Sequence, residues 1–438
     1  MENITLDNIK KNLGISEFNK IQVESMEKAK SHNELILLAP TGTGKTLGYL
    51  LPILNKINPN VEGVQALILV PSRELALQIE KVFKSIGSKF KINCCYGGHA
   101  FQIEQKNLSQ PPQVLVGTPG RIASHIEEET FDYSTVESIV FDEFDKALEF
   151  GFLKDMEYIY SSLRSIEYKM LTSATDLSEY PEFLRLNQPQ KLNHLTAQIP
   201  KPLTVLQTEV KSKEKLTQLL KLIYHLKAER MIIFCNHRAA VERISAFFKE
   251  EELEHQMFHG GMEQIDRERA LVKFRNDTSL ILITTDLAAR GLDIPMIQHV
   301  IHYQLPPKED AFIHRNGRTA RMNETGNAYM LLADDDEIPE YVNTYPRHFD
   351  IPQDAPKPAP TQWETIYVSA GKKNKINKID LVGLFIKKGN LDKNDIGLIE
   401  VKDFISFIAV KKSKAALVAK RLNKERVKKI KVKVDIAQ

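Results

Sequence analysis

An apolar run, ELILL (34–38), passes directly into Ala39-Pro40-Thr41-Gly42-Thr43-Gly44-Lys45-Thr46, and that turn passes directly into LGYLLPILNKI, whose pattern predicts a helix. Strand, glycine-bearing turn and helix in unbroken succession are the setting of a phosphate loop, which confines the chain to α/β folds built on a parallel sheet. Gly42 and Gly44 let the backbone curl until its N–H groups face an anion. Lys45 brings a positive charge to the terminal phosphates, and the Thr46 hydroxyl suits Mg2+. The first position is Ala39 rather than glycine. A glycine turn with no ligand is the competing reading, and the flanking strand and helix weigh against it.

The surrounding pattern agrees. VQALILV, INCCY, QVLVG, SIVFD and KMLT alternate with amphipathic stretches through the first 200 residues, implying a helix-covered sheet with its chemistry at the carboxyl ends of the strands. After TAQIPKPLT (196–204) a second series begins: RMIIFCN, HQMFHGG, SLILITTD, HVIHYQL and GNAYMLL. The 438 residues suit about three folding units. The expected organisation is two tandem parallel-sheet α/β units, 1–200 and 205–350, a Pro-rich spacer at 351–362, and a small α+β domain at 363–438 reading βαββαβ. No stretch approaches the roughly 20 apolar residues that cross a bilayer, and the chain does not start with a cationic segment followed by an apolar run. Membrane and secretory readings are excluded on that ground, and a cytoplasmic protein is expected. Cys94, Cys95 and Cys235 show no metal-ligand spacing and are expected as reduced, buried thiols.

Ser138-Ile139-Val140-Phe141-Asp142-Glu143 is an apolar strand ending in two acids. Beside a phosphate loop, Asp142 is expected to hold Mg2+ and Glu143 to orient and deprotonate an attacking water. The second unit has no phosphate loop. It does contain His314-Arg315-Asn316-Gly317-Arg318-Thr319-Ala320-Arg321, with three arginines at helical spacing and a glycine that permits close approach. Guanidinium groups of this kind stabilise a γ-phosphate during transfer, whereas an exposed basic helix face is the plainer reading of that segment alone.

Together PSRELALQ (71–78), Gly97-Gly98, TPGR (118–121), DEFD (142–145), SAT (173–175), IIFCN (232–236), TTDLAARGLDIP (284–295) and HRNGRTAR (314–321), with Gln22 upstream, resemble the DEAD-box RNA helicases over about residues 1–350. The resemblance implies two RecA-like domains, ATP and Mg2+ as cofactors, and RNA as partner. It implies that Lys45, Glu143, Arg318 and Arg321 are catalytic, and that Gln22 reads adenine. Nucleotide contacts are implied for Thr41, Gly42, Thr43, Gly44, Thr46 and Asp293, and coupling of nucleotide to RNA for Asp145, Ser173 and Thr175. RNA-backbone contacts are implied for Pro71, Arg73, Gly98, Thr118, Gly120, Arg121, Thr285 and Arg290. Two departures stand out. Phe144 occupies the third tetrad position where the family has alanine, and no aromatic residue occurs among residues 1–17, where one usually stacks on adenine. Altered packing behind the tetrad and looser adenine selectivity are therefore expected.

Charge is unevenly distributed. Residues 362–438 hold 19 Lys and Arg against 8 Asp and Glu, a net of +11, which leaves 41 against 49, or −8, for the rest. A basic domain on an acidic body attracts a polyanion by counterion release, although charge runs are also plain solvated faces. Residues 363–438 resemble the C-terminal RNA-binding domain of the DbpA-type DEAD-box proteins through IYVSAGKKNKI (366–376), DLVGLF (380–385) and DIGLIEV (395–401). That likeness implies an RRM-like fold tethered to structured RNA, in that subfamily a hairpin of large-subunit (23S-type) ribosomal RNA. From the residues alone, Lys372, Lys373 and Lys375 form a phosphate-facing cluster. Tyr367 and Phe407 occupy strand positions where such sheets stack bases, with core packing as the alternative. The function expected is an ATP-dependent RNA helicase acting on single-stranded and structured RNA, and the resemblance alone implies ribosome assembly as its setting. The alternative is an ATP-gated RNA clamp with little strand separation, and a DNA-directed motor is disfavoured by the motifs. The sequence carries no signal of oligomeric state.

Overall fold

Seven short runs rich in leucine, isoleucine and valine make the first sheet: β1 (Glu34–Leu38), β2 (Ala66–Leu69), β3 (Ile92–Cys95), β4 (Val114–Gly117), β5 (Ser138–Phe141), β6 (Tyr168–Ser173) and β7 (Gln190–Asn193). All pair in parallel, in the order β3-β4-β2-β5-β6-β1-β7. The computed structural model describes residues 4–40, 42–98, 101–177, 179–195, 203–227, 229–286, 294, 297–319, 326–345 and 347–437. The central strands β2, β4, β5 and β6 are buried at every position because helices cover both faces. Alternate side chains feed two cores. Leu35, Leu37, Ile68, Val116 and Val140 pack with helices Lys45–Lys56 and Arg73–Ile86, while Ile36, Leu38, Leu67, Leu115 and Phe141 pack with helices Pro119–Glu127 and Leu153–Ser162.

The second parallel sheet has β8 (Leu203–Val210), β9 (Met231–Phe234), β10 (Gln256–Phe258), β11 (Ile281–Thr284), β12 (His299–His302) and β13 (Gly326–Ala333), in the order β10-β11-β9-β12-β13-β8. Two edge strands, β7 and β8, were not expected from the sequence. The third sheet is antiparallel, β15-β16-β14-β19, from β14 (Trp363–Val368), β15 (Ile396–Val401), β16 (Ser406–Lys411) and β19 (Val434–Ile436). Helices Lys378–Lys387 and Lys412–Leu422 cover one face through Ile366, Val368, Ile408 and Val410. The expected last strand, KIKVKVDI, is divided. Ile430–Lys431 (β18) pairs with Arg426–Val427 (β17) as a separate hairpin, and only Val434–Ile436 joins the sheet. The chain forms two compact units, one holding the first sheet and the other holding the second parallel sheet together with the antiparallel one. Among the described residues no helix is long and apolar enough to cross a membrane.

Candidate nucleotide and RNA site

Because the strands of the first sheet all run the same way, the loops at their carboxyl ends share one edge. On one side of that edge the loops after β3, β4 and β2 carry Gly97-Gly98, Thr118–Arg121 and Pro71–Arg73. On the other side the ends of β5, β6 and β1 carry Asp142–Asp145, Ser173–Thr175 and the phosphate loop. Residues implied for RNA and for nucleotide thus fall on adjacent halves of one sheet.

Gly44 is in the left-handed region (φ 88°) at the N-cap of helix Lys45–Lys56, and a Cβ there would stand 2.5 Å from Gln22 Nε2. Gln22 and Asn19 form a capping box: Asn19 N donates to Gln22 Oε1 and Gln22 N to Asn19 Oδ1, each at 3.0 Å. Their remaining amide groups brace the loop, Asn19 Nδ2 donating to Thr43 O (2.8 Å) and Gln22 Nε2 to Gly44 O (3.4 Å). Thr43 Oγ1 donates to Pro40 O, and the buried Lys45 Nζ to Ala39 O. Gly42 is also left-handed, and Thr46 is half-buried.

Asp142 is buried and accepts from Tyr49 OH (2.9 Å), Thr172 Oγ1 and Glu143 N (3.1 Å). Burial pushes its carboxyl up against the opposing pull of the Thr172 hydrogen bond and the Lys45 charge. Asp142 and Thr46 are hard oxygen donors, a set that fits Mg2+. Glu143 is buried with φ 50°, uncommon for a residue with a side chain, and caps the short helix Phe144–Glu149. Phe144 is fully buried, its ring set edge-on to Phe141 at 5.6 Å, and Phe141 in turn meets Phe183 and Tyr160. Thr175 Oγ1 donates to Asp145 Oδ2 (3.2 Å), and Ser173 Oγ donates to Thr175 O and accepts from Thr175 N. The tetrad and the SAT motif are therefore in direct contact.

On the other half, Arg73 Nη1 donates to Gly97 O (3.2 Å) and its guanidinium lies 4.6 Å from the Tyr96 ring centroid. Gly98 has φ 93°, a backbone conformation that favours glycine, and a Cβ there would fall 2.6 Å from Arg73 Nη1, so the guanidinium would have to shift. Pro71 is buried; Thr118 caps helix Pro119–Glu127, with half-buried Gly120 in its first turn. Arg121 Nε donates to Glu104 Oε2 (2.6 Å), which also meets His125 Nε2 (2.9 Å), while Tyr96 N donates to Glu104 Oε1 (3.0 Å). Burial raises the Glu104 carboxyl, yet hydrogen bonds from His125, Tyr96 and Arg121 outweigh it and bring the group below its ordinary value. Cys95 adjoins Glu104 and His125, giving three donors within reach of one ion. Glu104 is already committed to Arg121 and His125, and burial pushes the Cys95 thiol up, so the group reads as an ion-pair network. Sequence reading missed Glu104, Tyr49 and Thr172. Only Tyr49 had a local signal, one helical turn after Lys45.

In the second unit Thr285 follows β11 and is half-buried. Helix Glu309–Asn316 ends before Arg318, which is buried in the turn beyond, so Arg315 and Arg318 do not lie together on that helix. Arg315 is 0% exposed and turned inward: Nε pairs with Asp286 (2.6 Å), Nη1 donates to Gln304 O and Nη2 to Asn236 Oδ1. Thr41, Arg290, Asp293 and Arg321 lie outside the described residues. The thiols are free, with Cys95 and Cys235 buried and Cys94 half-buried. Lys372, Lys373 and Lys375 are exposed, and Lys428 Nζ donates to Lys375 O (2.7 Å), joining the β17–β18 hairpin to that cluster. Phe407 is buried and Tyr367 half-buried beside it, which agrees with the core-packing alternative rather than with base stacking.

A family model described as DEAD/DEAH box helicase matches residues 19–182, one described as Helicase conserved C-terminal domain matches 214–323, and one described as DbpA RNA binding domain matches 365–436. The ATP-dependent RNA helicase DbpA of Bacillus subtilis (strain 168) is 29% identical over 460 aligned residues, covering 97% of this chain and 96% of that protein. A DEAD-box ATP-dependent RNA helicase CshA of Bacillus cereus is 32% identical over 73% of this chain and 62% of its own length. Among solved structures, S. cerevisiae Dbp5 bound to RNA and ADP BeF3 aligns with TM-score 0.67 at 26% identity, covering 75% of this chain and 88% of that one. Mss116p bound to ssRNA and AMP-PNP aligns with TM-score 0.66 at 25% identity, covering 76% of each.

Proposed function

Because this chain belongs to the DEAD-box family of ATP-dependent RNA helicases, we propose that it remodels ribosomal RNA during large-subunit assembly in the cytoplasm, anchored by its basic tail domain. The observation that carries the mechanism is the Asp145–Thr175 hydrogen bond, which joins the tetrad of the nucleotide half to the SAT motif at the end of β6. On this reading Gly42, Thr43, Gly44 and Lys45 hold the phosphates, with Thr41, Gln22 and Asp293 completing the nucleotide contacts. Asp142 and Thr46 would hold Mg2+, which supplies charge neutralisation at the phosphates when bound. Glu143 accepts the proton of the attacking water, and Arg318 and Arg321 stabilise the transferring γ-phosphoryl group. Pro71, Arg73, Gly98, Thr118, Gly120, Arg121, Thr285 and Arg290 hold the RNA backbone, while Ser173, Thr175 and Asp145 pass its presence to the nucleotide.

The ribosomal assignment is supported by the net +11 of residues 362–438 and by the tail's likeness to the DbpA RNA-binding domain. Lys372, Lys373 and Lys375 contribute phosphate contacts there. Crosslinking the full chain and a chain ending at Pro360 to cellular RNA tests it. Enrichment of one large-subunit rRNA segment that disappears on truncation is expected, and an unchanged RNA profile would refute the anchoring role. Lasting RNA binding with little strand release would favour the clamp reading, which the buried Phe144 motivates.

A further inference from the structure

Three segments assigned to the RNA backbone, Pro71–Arg73, Gly97-Gly98 and Thr118–Arg121, follow three different strands of the first sheet. Left to themselves, three such loops would present their contacts in no fixed relation to one another. The side chain that joins them belongs to none of those motifs. Glu104 lies in helix Phe101–Leu108, is 5% exposed, and is an acid beside segments that have to receive a polyanion. Taking a carboxylate out of water is costly unless its oxygens are engaged.

Both oxygens are engaged. Oε1 accepts from the backbone of Tyr96, the residue that leads into Gly97-Gly98, and Oε2 accepts from Arg121 Nε while meeting His125 Nε2. Arg121 and His125 are four residues apart on helix Pro119–Glu127, so a single oxygen fixes both the position and the rotation of the helix start that Thr118 caps. Phe101, from the same helix as Glu104, adds a ring stacked on His125 at 4.4 Å and lying 5.0 Å from the Arg121 guanidinium. The connection continues through Tyr96, whose ring takes the Arg73 guanidinium while Arg73 Nη1 donates to Gly97 O. One buried carboxylate thereby links all three segments.

We propose that Glu104 is a positioning residue for RNA: it sets the spacing of the Gly97-Gly98 turn and the Thr118–Arg121 helix start before RNA arrives, and so raises RNA affinity although its charge repels phosphate. This rests on the reading of those segments as the RNA-backbone contacts. Donors held ready lose little freedom on binding, whereas donors on independent loops would have to be ordered by the RNA itself. Charge alone predicts the opposite sign. Removing an acid from a phosphate-binding face should strengthen the binding of a polyanion, while removing a positioning acid should weaken it.

The test titrates labelled single-stranded RNA with the full chain as wild type, Glu104→Gln, Glu104→Ala, Arg121→Ala and the double variant Glu104→Ala/Arg121→Ala, with Arg73→Ala as a control on the sheet edge. Glu104→Gln keeps the size of the side chain but offers one acceptor oxygen where two are used. RNA affinity should fall about threefold or more in Glu104→Gln and about tenfold or more in Glu104→Ala. Hydrolysis should show the same loss as a higher half-stimulating RNA concentration, with turnover at saturating RNA and nucleotide affinity without RNA retained. The double variant should bind more tightly than the product of the single losses predicts, since Glu104 acts in part through Arg121. Unchanged or stronger RNA binding in both single Glu104 variants, beside a loss in Arg73→Ala, would overturn the positioning role and leave the RNA reading of the edge intact. No loss in any variant, Arg73→Ala included, would overturn that reading as well. Losses that simply multiply, or that fall equally on nucleotide affinity, would also overturn the proposal, marking Glu104 as a residue of the fold alone.

Discussion

Replacing Phe144 with alanine gives this chain the residue its relatives carry, yet the structure makes it a damaging change. The ring is fully buried, edge-on to Phe141 and part of the aromatic group that includes Phe183 and Tyr160. Truncating a buried phenylalanine costs about 3–5 kcal/mol, of which roughly 0.5–1.5 kcal/mol is the edge-to-face pair. Phe144 also starts the helix that left-handed Glu143 caps, so losing the ring loosens the backbone that presents both Glu143 and Asp145. Native-state hydrogen exchange on β5 and β6 isolates the first sheet without needing a tryptophan, the only one being Trp363 in the tail. Amides that exchange only on unfolding should do so faster in Phe144→Ala by roughly two to four powers of ten, the rate equivalent of that free energy. RNA-stimulated hydrolysis should fall while ATP binding persists. Unchanged exchange on β5 would refute the reasoning, since the ring would then contribute nothing to the core behind the tetrad.

Gly98→Ala combines a left-handed backbone with a 2.6 Å approach to Arg73 Nη1; fluorescence anisotropy should show single-stranded RNA affinity lowered about tenfold, with ATP affinity in the absence of RNA unchanged. Arg318→Ala should lower RNA-stimulated turnover by about a thousandfold in a phosphate-release assay and leave nucleotide binding measurable. His302 is pushed down to about 3 by burial and then by the Arg315 charge, so it stays neutral in the fold while the unfolded chain takes up a proton below about 6.5. Its contribution to stability is therefore lost as pH falls from about 6.5 toward 3, by about 1.4 kcal/mol per unit. Denaturant unfolding of the second unit should show that slope, and His302→Phe should flatten it.

What the sequence disclosed was what is local to the chain. The phosphate loop is a strand, a turn and a helix in eight residues' reach, and the DEFD and SAT segments are each one strand end, so their chemistry could be read without knowing the neighbours. Tyr49 and Thr172 were invisible as Asp142 partners because 93 and 30 residues separate them from it. Glu104 lay in an amphipathic helix with nothing to mark it as the partner of Arg121 and His125. The edge strands β7 and β8 escaped because QKLN and LTVLQTEV are only partly buried and lack the apolar continuity of the central strands. Arginines 315, 318 and 321 suggested one helical face, but the helix stops at Asn316 and Arg315 is spent on Asp286. For Tyr367 and Phe407 the sequence leaves base stacking and core packing both open, because strand alternation fixes the face of a sheet but not what covers it. The covering residues Val272, Asn276 and Thr278 lie about 90 or more positions earlier, in another domain.

The coupling of two ligands through one sheet edge is tested most directly by titrating single-stranded RNA with and without a saturating non-hydrolysable ATP analogue. An RNA dissociation constant at least about tenfold lower with the analogue is expected, matched by an equal gain in analogue affinity when RNA is saturating, because such coupling is reciprocal. Identical RNA affinity in the two titrations would contradict it.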